Sequence, residues 1–201
     1  MKYLVLDCET SGLPDFAQPA DAPGQPHLAS IAMIVADENG VMLREHNCLI
    51  RPDDWEMDPK ATAVNGLTTE YLRKHGVPIY DVLQTYSQLI LAGCVFTAYN
   101  SQFDAKMMRG ALRRAGLPDL FEQTPTICLM RACTPICKVP RAKGTGFKFP
   151  KLEEACRHFG FAQTGAHSAM GDAQSALMIL QSLIQSKQLP APEVHYSKKT
   201  P

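Results

Sequence analysis

The 201-residue sequence predicts a single α/β domain over residues 1–187, with a mixed central sheet of about five strands flanked by α-helices. Three observations carry this expectation. Two β-like runs, "ASIAMIVAD" (29–37) and "VMLREHNCLIR" (41–51), are joined by "ENG", whose Asn39-Gly40 pair is a strong hairpin signal. Further along, apolar strand runs alternate with amphipathic segments, as in a sheet covered by helices. A long last helix, from about 169 to 187, carries Ala173, Ala176, Leu177, Leu180, Leu183 and Ile184 on one stripe.

In chain order, residues 2–8 read as a first buried strand, followed by the loop "PDFAQPADAPGQP" (14–26) with its four prolines. "DPKATAVNGLTTEYLRKHG" (58–76) predicts two short helices split at Asn65-Gly66. "IYDVLQTYSQLILAG" (79–93) has helical spacing at Val82, Leu83, Tyr86, Leu89 and Ile90. "CVFTAYN" (94–100) is a buried strand feeding the helix "SQFDAKMMRGALRRAG" (101–116), which Gly116 closes. A short strand is expected around "TICLM" (126–130), then a basic loop and the helix "KLEEACRHFG" (151–160). Residues 188–201 read as a loose polar tail.

Lys and Arg number 20, as do Asp and Glu, so net charge argues for no polyanionic partner and against no local basic patch. No apolar run approaches a membrane span, and the short apolar stretch before Asp7 is too brief for a signal-peptide core. No membrane association and a cytoplasmic location are therefore expected. Seven cysteines, an odd number scattered through apolar segments, suit reduced core thiols. Cys128, Cys133 and Cys137 cluster without a C-x-x-C pair or a histidine at ligand spacing, so no zinc site is expected there.

The first strand ends in a question. "YLVLDCETSG" (3–12) closes its most apolar run with Asp7 and Glu9, and alternate strand residues share a face. Two carboxylates so placed resist joint ionisation, whereas a divalent cation turns them into half of an oxygen-ligand site. Asp104 falls in the first turn of a helix after a buried strand. There Ser101 and Asp104 also have the spacing of a capping box, and Phe103 is economically a core residue. Asp172 again opens a helix. His167 would stand about 140° around the axis from it if both were helical. The two share a site only if His167 leaves the preceding loop, which Gly165 and Gly171 allow.

Residues 138–151, "KVPRAKGTGFKFPK", hold five basic residues and no acid, with Phe147 and Phe149 between them. Phosphate contact by Lys143 and Lys148 with base stacking on Phe147 suits this interleaving. A solvated loop with both rings packed on the body is the alternative.

Together these motifs resemble the DEDDh 3′–5′ exonucleases, the DnaQ-like branch of the ribonuclease H-like fold. "DCETSG" (7–12) is similar to that family's D-x-E-T-[ST]-G, "YNSQFD" (99–104) to its H-N-x-x-F-D, and "HSAMGD" (167–172) to its H-x₄-D. "VNGLTTEYL" (64–72) also resembles the family's segment after the third strand. Two departures are Tyr99 in place of the usual histidine and a longer proline-rich loop, which starts at the strand end carrying Asp7 and Glu9.

The resemblance covers residues 2–184 and implies a ribonuclease H-like sheet whose first three strands are antiparallel. It implies two divalent cations, Mg²⁺ or Mn²⁺, with Asp7 bridging them, Glu9 and Asp172 completing one site, and Asp104 holding the other. His167 would be the general base, a role suited to imidazole chemistry. The substrate would be a single-stranded 3′ end of DNA or RNA, releasing 5′-nucleoside monophosphates. Terminal-nucleotide contacts would come from backbone groups at Thr10, Ser11 and Gly12, from Leu13 as a wedge, and from Asn100 and Phe103. His167 argues against the oligoribonuclease branch, whose third motif usually carries Tyr. The short tail favours a free-standing enzyme over a polymerase subunit and leaves homodimerisation open. A catalytically silent nucleic-acid-binding module would have no need of all five site residues.

Overall fold

The computed structural model describes residues 1–195. Strands β1 (Lys2–Thr10), β2 (Leu28–Ala36), β3 (Met42–Leu49), β4 (Cys94–Ala98) and β5 (Thr126–Cys128) form one sheet in the order β3-β2-β1-β4-β5. The first three are antiparallel, and β4 and β5 run parallel to β1, as expected of the mixed sheet. The β2–β3 turn closes where Asp37 accepts from the backbone N–H groups of Asn39 and Val41, with Gly40 at φ 80°. Only glycine adopts that conformation freely.

β2 is buried along its whole length because both faces of the sheet are covered. Alternation along β1 assigns the two faces. Leu4, Leu6 and Cys8 join a core with α3 (Ile79–Leu91) and α4 (Ser101–Arg114). Tyr3 and Val5 join the opposite core with α5 (Leu129–Cys137), α6 (Leu152–His158) and α7 (Ala169–Gln185). Two short helices, α1 (Pro59–Asn65) and α2 (Thr69–His75), follow the hairpin. Asp58 caps the first through the Lys60 N–H, and Gly66 at φ 73° ends it.

The parallel ladder with β4 covers only Lys2–Val5 of β1. β4 turns away into α4 soon after, so Leu6–Thr10 run on past their neighbour. This opens a gap at the carboxyl end of the sheet, where open α/β sheets place their sites.

Three segments differ from the sequence expectation. The strand at 126–130 is shorter, and the basic loop expected next begins as a helix, Leu129–Cys137, with Pro135 inside it. Burial of Leu129 and Cys133 against α6 and α7 outweighs the backbone bond that proline removes. The tail expected to be loose is tied down at Glu193, which exchanges backbone bonds of 2.9 and 3.1 Å with Thr126 on the outer edge of β5. Residues 196–201 of that tail lie outside the described residues. Among the described residues no helix is long and apolar enough to cross a membrane.

Candidate active site

The side chains of Asp7 and Glu9 share the face that α7 covers, and α7 brings Asp172 to them from its first turn. Ligand oxygens of these three acids all lie within 4.8 Å of one another. Asp104 arrives from the other side. It is buried in the first turn of α4, and its Oδ1 accepts from both the backbone N–H and the thiol of Cys8, each at 3.2 Å. The expected Ser101–Asp104 capping box is absent. Asn100 occupies the cap position, and the Asp104 carboxylate has turned to β1. The end of β1, paired with β2 but not with β4, makes this possible, because the Cys8 N–H has no β4 carbonyl opposite it.

All four acids and His167 line one cavity of about 630 Å³. Burial raises Asp7 well above the usual carboxylate range, and the charges of Asp104, Asp172 and Glu9 push it further. Asp104 is raised by burial, with the two Cys8 bonds opposing. Glu9 is raised by burial against a hydrogen bond from Asn65. Asp172 is raised by burial, opposed by the Gln163 amide at 2.6 Å and by the His167 backbone N–H. Among the described residues none of the four is ion-paired with Lys or Arg. Clustered carboxylates without a counter-charge are unfavourable unless a cation joins them, and an all-oxygen donor set fits a divalent ion.

His167 leaves the loop ahead of α7, with φ 63°. The loop is tightly wound: Gly165 has φ 51°, and the Ser168 hydroxyl donates to the Gly165 carbonyl at 2.7 Å and accepts from the Gly171 N–H at 3.2 Å. A side chain at Gly171 would run into the Gly165 carbonyl and sit 2.5 Å from the Thr164 carbonyl oxygen. Glycine is required there for the loop to lie against the helix start.

Thr10, Gly12, Leu13, Asn100 and Phe103 also line the cavity, Leu13 being 91% exposed. Phe103 both faces the cavity and packs on the core, so the purely core reading of it is incomplete. Ser11 departs from expectation. Its N–H donates to the His27 carbonyl, its carbonyl accepts from the Asp58 N–H, and its hydroxyl oxygen accepts from the His27 N–H, all at 2.9 Å. It ties three segments together and is absent from the cavity wall.

The basic segment forms a small hairpin, closed by a bridge between Pro140 and Phe147. Lys143, Phe147 and Lys148 line a separate hollow of about 320 Å³. Phe147 and Phe149 remain 41% and 57% exposed, so the reading with both rings packed on the body does not hold. Lys148 is held by both Glu154 oxygens at 2.7 and 2.8 Å, which makes it a brace for the hairpin rather than a free phosphate contact. Tyr99, the departure from the usual histidine, lines the main cavity and donates its hydroxyl to the Pro150 carbonyl at 2.8 Å.

Sequence reasoning missed the α1 wall of the cavity, formed by Lys60, Val64 and Asn65 among others. Asn65 bonds Glu9 and donates to the Thr10 carbonyl at 3.3 Å. Its signals were the Asn65-Gly66 break, which explains a helix end equally well, and its place in the 64–72 stretch that resembles the family, to which no role was attached.

A family model described as Exonuclease (RNase_T) matches residues 4–180. Exodeoxyribonuclease I of Buchnera aphidicola subsp. Schizaphis graminum is 24% identical over 209 residues, covering 94% of this chain and 40% of the relative. The zinc-ion-bound form of the E. coli exonuclease I–ssDNA complex superposes with a TM-score of 0.74 at 20% identity, over 93% of this chain and 42% of that one. The nuclease domain of 3′hExo, a DEDDh family member bound to rAMP, gives 0.73 at 14% identity over 96% of each chain. The chain thus shares their ribonuclease H-like fold. It spans only about two fifths of the length of its exonuclease I relatives.

Proposed function

The chain belongs to the exonuclease family whose model it matches, and on that premise we propose that it hydrolyses single-stranded DNA from the 3′ end, releasing 5′-nucleoside monophosphates. The observation that carries this reading is the convergence of Asp7, Glu9 and Asp172 within 4.8 Å, in one cavity with Asp104 and His167.

In this reading Asp7, Glu9, Asp104 and Asp172 hold two divalent cations, Mg²⁺ or Mn²⁺. Such a pair, when bound, activates water and neutralises charge on the entering and leaving oxygens of a phosphodiester. Asp7 would serve both ions, since Glu9 and Asp172 lie beside it and the charges of Asp104, Asp172 and Glu9 all act on it. Glu9 and Asp172 complete one ion's ligands, and Asp104 serves the second with its Oδ1 steadied by Cys8. His167 takes the proton from the attacking water. Its backbone N–H on the Asp172 carboxylate couples base and ligand in one turn of chain. Thr10, Gly12, Asn100 and Phe103 enclose the terminal nucleotide, and Leu13 wedges beside its base. Lys143, Phe147 and Phe149 on the basic hairpin engage the strand farther from its end.

One observation favours a second reading, an RNA-trimming enzyme: the 3′hExo domain matches over nearly its whole length and was solved with rAMP. For location, seven free thiols suit a reducing, cytoplasmic setting.

Purified protein with Mn²⁺ or Mg²⁺ is expected to shorten a 5′-labelled single-stranded oligonucleotide from its 3′ end. Activity that survives excess EDTA, or Asp7→Ala, sinks the assignment. Matched DNA and RNA strands in the same assay decide between the two polymers.

A further inference from the structure

The proline-rich segment 14–26 is a folded strap rather than a slack loop. Gln25 is buried inside it, accepting from the Asp15 N–H at 3.0 Å and donating to the Asp15 and Pro19 carbonyls at 2.8 and 2.9 Å. The strap lies along α4. Arg113 pairs with Asp21 at 3.2 Å, Arg114 donates to the Pro26 carbonyl at 3.1 Å, and Lys106 donates to the Gln18 carbonyl. Gly110 makes the approach possible, since any side chain there would collide with the Ala20 carbonyl.

The strap presents two apolar side chains outward: Leu13 just ahead of it, on the cavity rim, and Phe16, which is 50% exposed. The Lys106 ammonium stands 5.7 Å from the Phe16 ring centroid. Phe103 and Lys106 are three residues apart on α4 and therefore share a face, and Phe103 lines the cavity. Lys106 sits about 4.5 Å farther along the helix axis, by the rise of an α-helix. An aromatic ring and a cation are thus fixed one helical turn outward from the proposed terminal-nucleotide site. The contacts of Lys106 are a carbonyl oxygen and a ring, neither of which cancels its charge.

We propose that Phe16 and Lys106 form a second nucleotide subsite, in which an internal base of single-stranded DNA stacks on Phe16 while its phosphate meets Lys106. A ring accepts any base by stacking, and an ammonium with donors to spare suits a phosphate oxygen. A rigid platform also binds with less ordering than a mobile loop would need. The inference rests on the nuclease reading for its ligand class, and it assigns a function to a segment that the five site residues leave unexplained.

The test is equilibrium binding of a 5′-fluorescein-labelled twelve-nucleotide oligo-dT by anisotropy in chelator, so that no hydrolysis enters. Phe16→Ala and Lys106→Gln should each weaken binding about fivefold or more, the low end of measured stacking effects. Lys106→Gln should also lower the slope of log affinity against log salt by about 0.7, one phosphate's share on a single strand. Tyr80→Ala removes an equally exposed aromatic from α3 and serves as the control, with no change expected. Thermal melts of all three variants check that the fold persists. Unchanged affinity in both Phe16→Ala and Lys106→Gln, an equal loss in Tyr80→Ala, or no binding by the unaltered protein overturns the proposal. Hydrolysis of the same oligonucleotide under Mn²⁺ is scored separately: tight binding that Phe16→Ala weakens, with no hydrolysis, supports this subsite while defeating the nuclease reading.

Discussion

Cys8 gives both its backbone N–H and its thiol to a single oxygen of Asp104, each over 3.2 Å. Two donors on Oδ1 fix the carboxylate's orientation and partly offset the burial that raises it. Groups that orient a metal ligand in this way are often worth tenfold or more in affinity. Cys8→Ala should therefore weaken Mn²⁺ binding by about tenfold, whereas Cys8→Ser, which keeps a donor, should lose less. Mn²⁺ titrations of activity and of protein-bound Mn²⁺ by electron paramagnetic resonance check this. Equal affinities for Cys8→Ala and the unaltered protein would remove the thiol from the account.

Stability should depend on pH and metal together. Asp7, Glu9, Asp104 and Asp172 are all raised in the folded state, with burial the leading cause. Between the ordinary carboxylate range and those raised values, the folded chain binds more protons than the unfolded one. Its stability therefore falls as pH rises through that window. His27, lowered by burial and by Arg114, works in the opposite direction just below the ordinary histidine range. The difference between metal-bound and chelated protein isolates the acids. Melting temperature in EDTA should drop from pH 5 toward pH 7.5 relative to the Mn²⁺ form. At a hundred times the dissociation constant, metal should add about 2.7 kcal/mol. A metal effect that is flat or shrinks with rising pH would contradict the proposed ligands.

Gly171→Ala should damage catalysis more than folding. The new methyl meets the Thr164 and Gly165 carbonyls, so the loop that carries His167 must move. A displacement of about 1 Å in a reacting group can cost a hundredfold in rate, and about that loss in kcat is expected. Combining it with His167→Ala should add little to the histidine variant alone, because the two changes act through one group. Additive losses would show that Gly171 matters for another reason.

Tyr99→Phe removes one buried hydrogen bond, from the ring hydroxyl to the Pro150 carbonyl. The expected loss is about 1 kcal/mol in stability, by the typical net worth of such a bond. The basic hairpin loses its anchor to the cavity wall. Amide exchange should therefore quicken at Lys148, whose N–H donates to the Val139 carbonyl at 2.9 Å, and KM for long oligonucleotides should rise. Unchanged exchange at Lys148 would mean that Glu154 and the hairpin ladder suffice to hold it.

Much of this was legible in the chain because the acids sit at positions that local rules already locate. Period-two alternation placed Asp7 and Glu9 on one face, and helix starts located Asp104 and Asp172. The less legible parts depend on long-range geometry. Ser11 looks like the residues around it, and only the packing of 27 and 58 against it occupies its polar groups. Lys148 is one cation among five until the fold brings Glu154 to it. The α5 helix was hidden because Pro135 reads as a breaker, and only the cores behind it favour the helix. Asn65 announced a turn and concealed a contact with Glu9.

The early departure of β4 from β1 bears on how such a chain tolerates insertions and deletions. One residue added between Ala98 and Ser101 would lengthen the short connection that delivers Asp104 to Cys8, and any resulting shift of α4 would leave Cys8 without its acceptor. An extra residue at the hairpin tip, 143–145, would displace nothing that touches the acids. Variation in loop length should accumulate at the second place and be purged from the first.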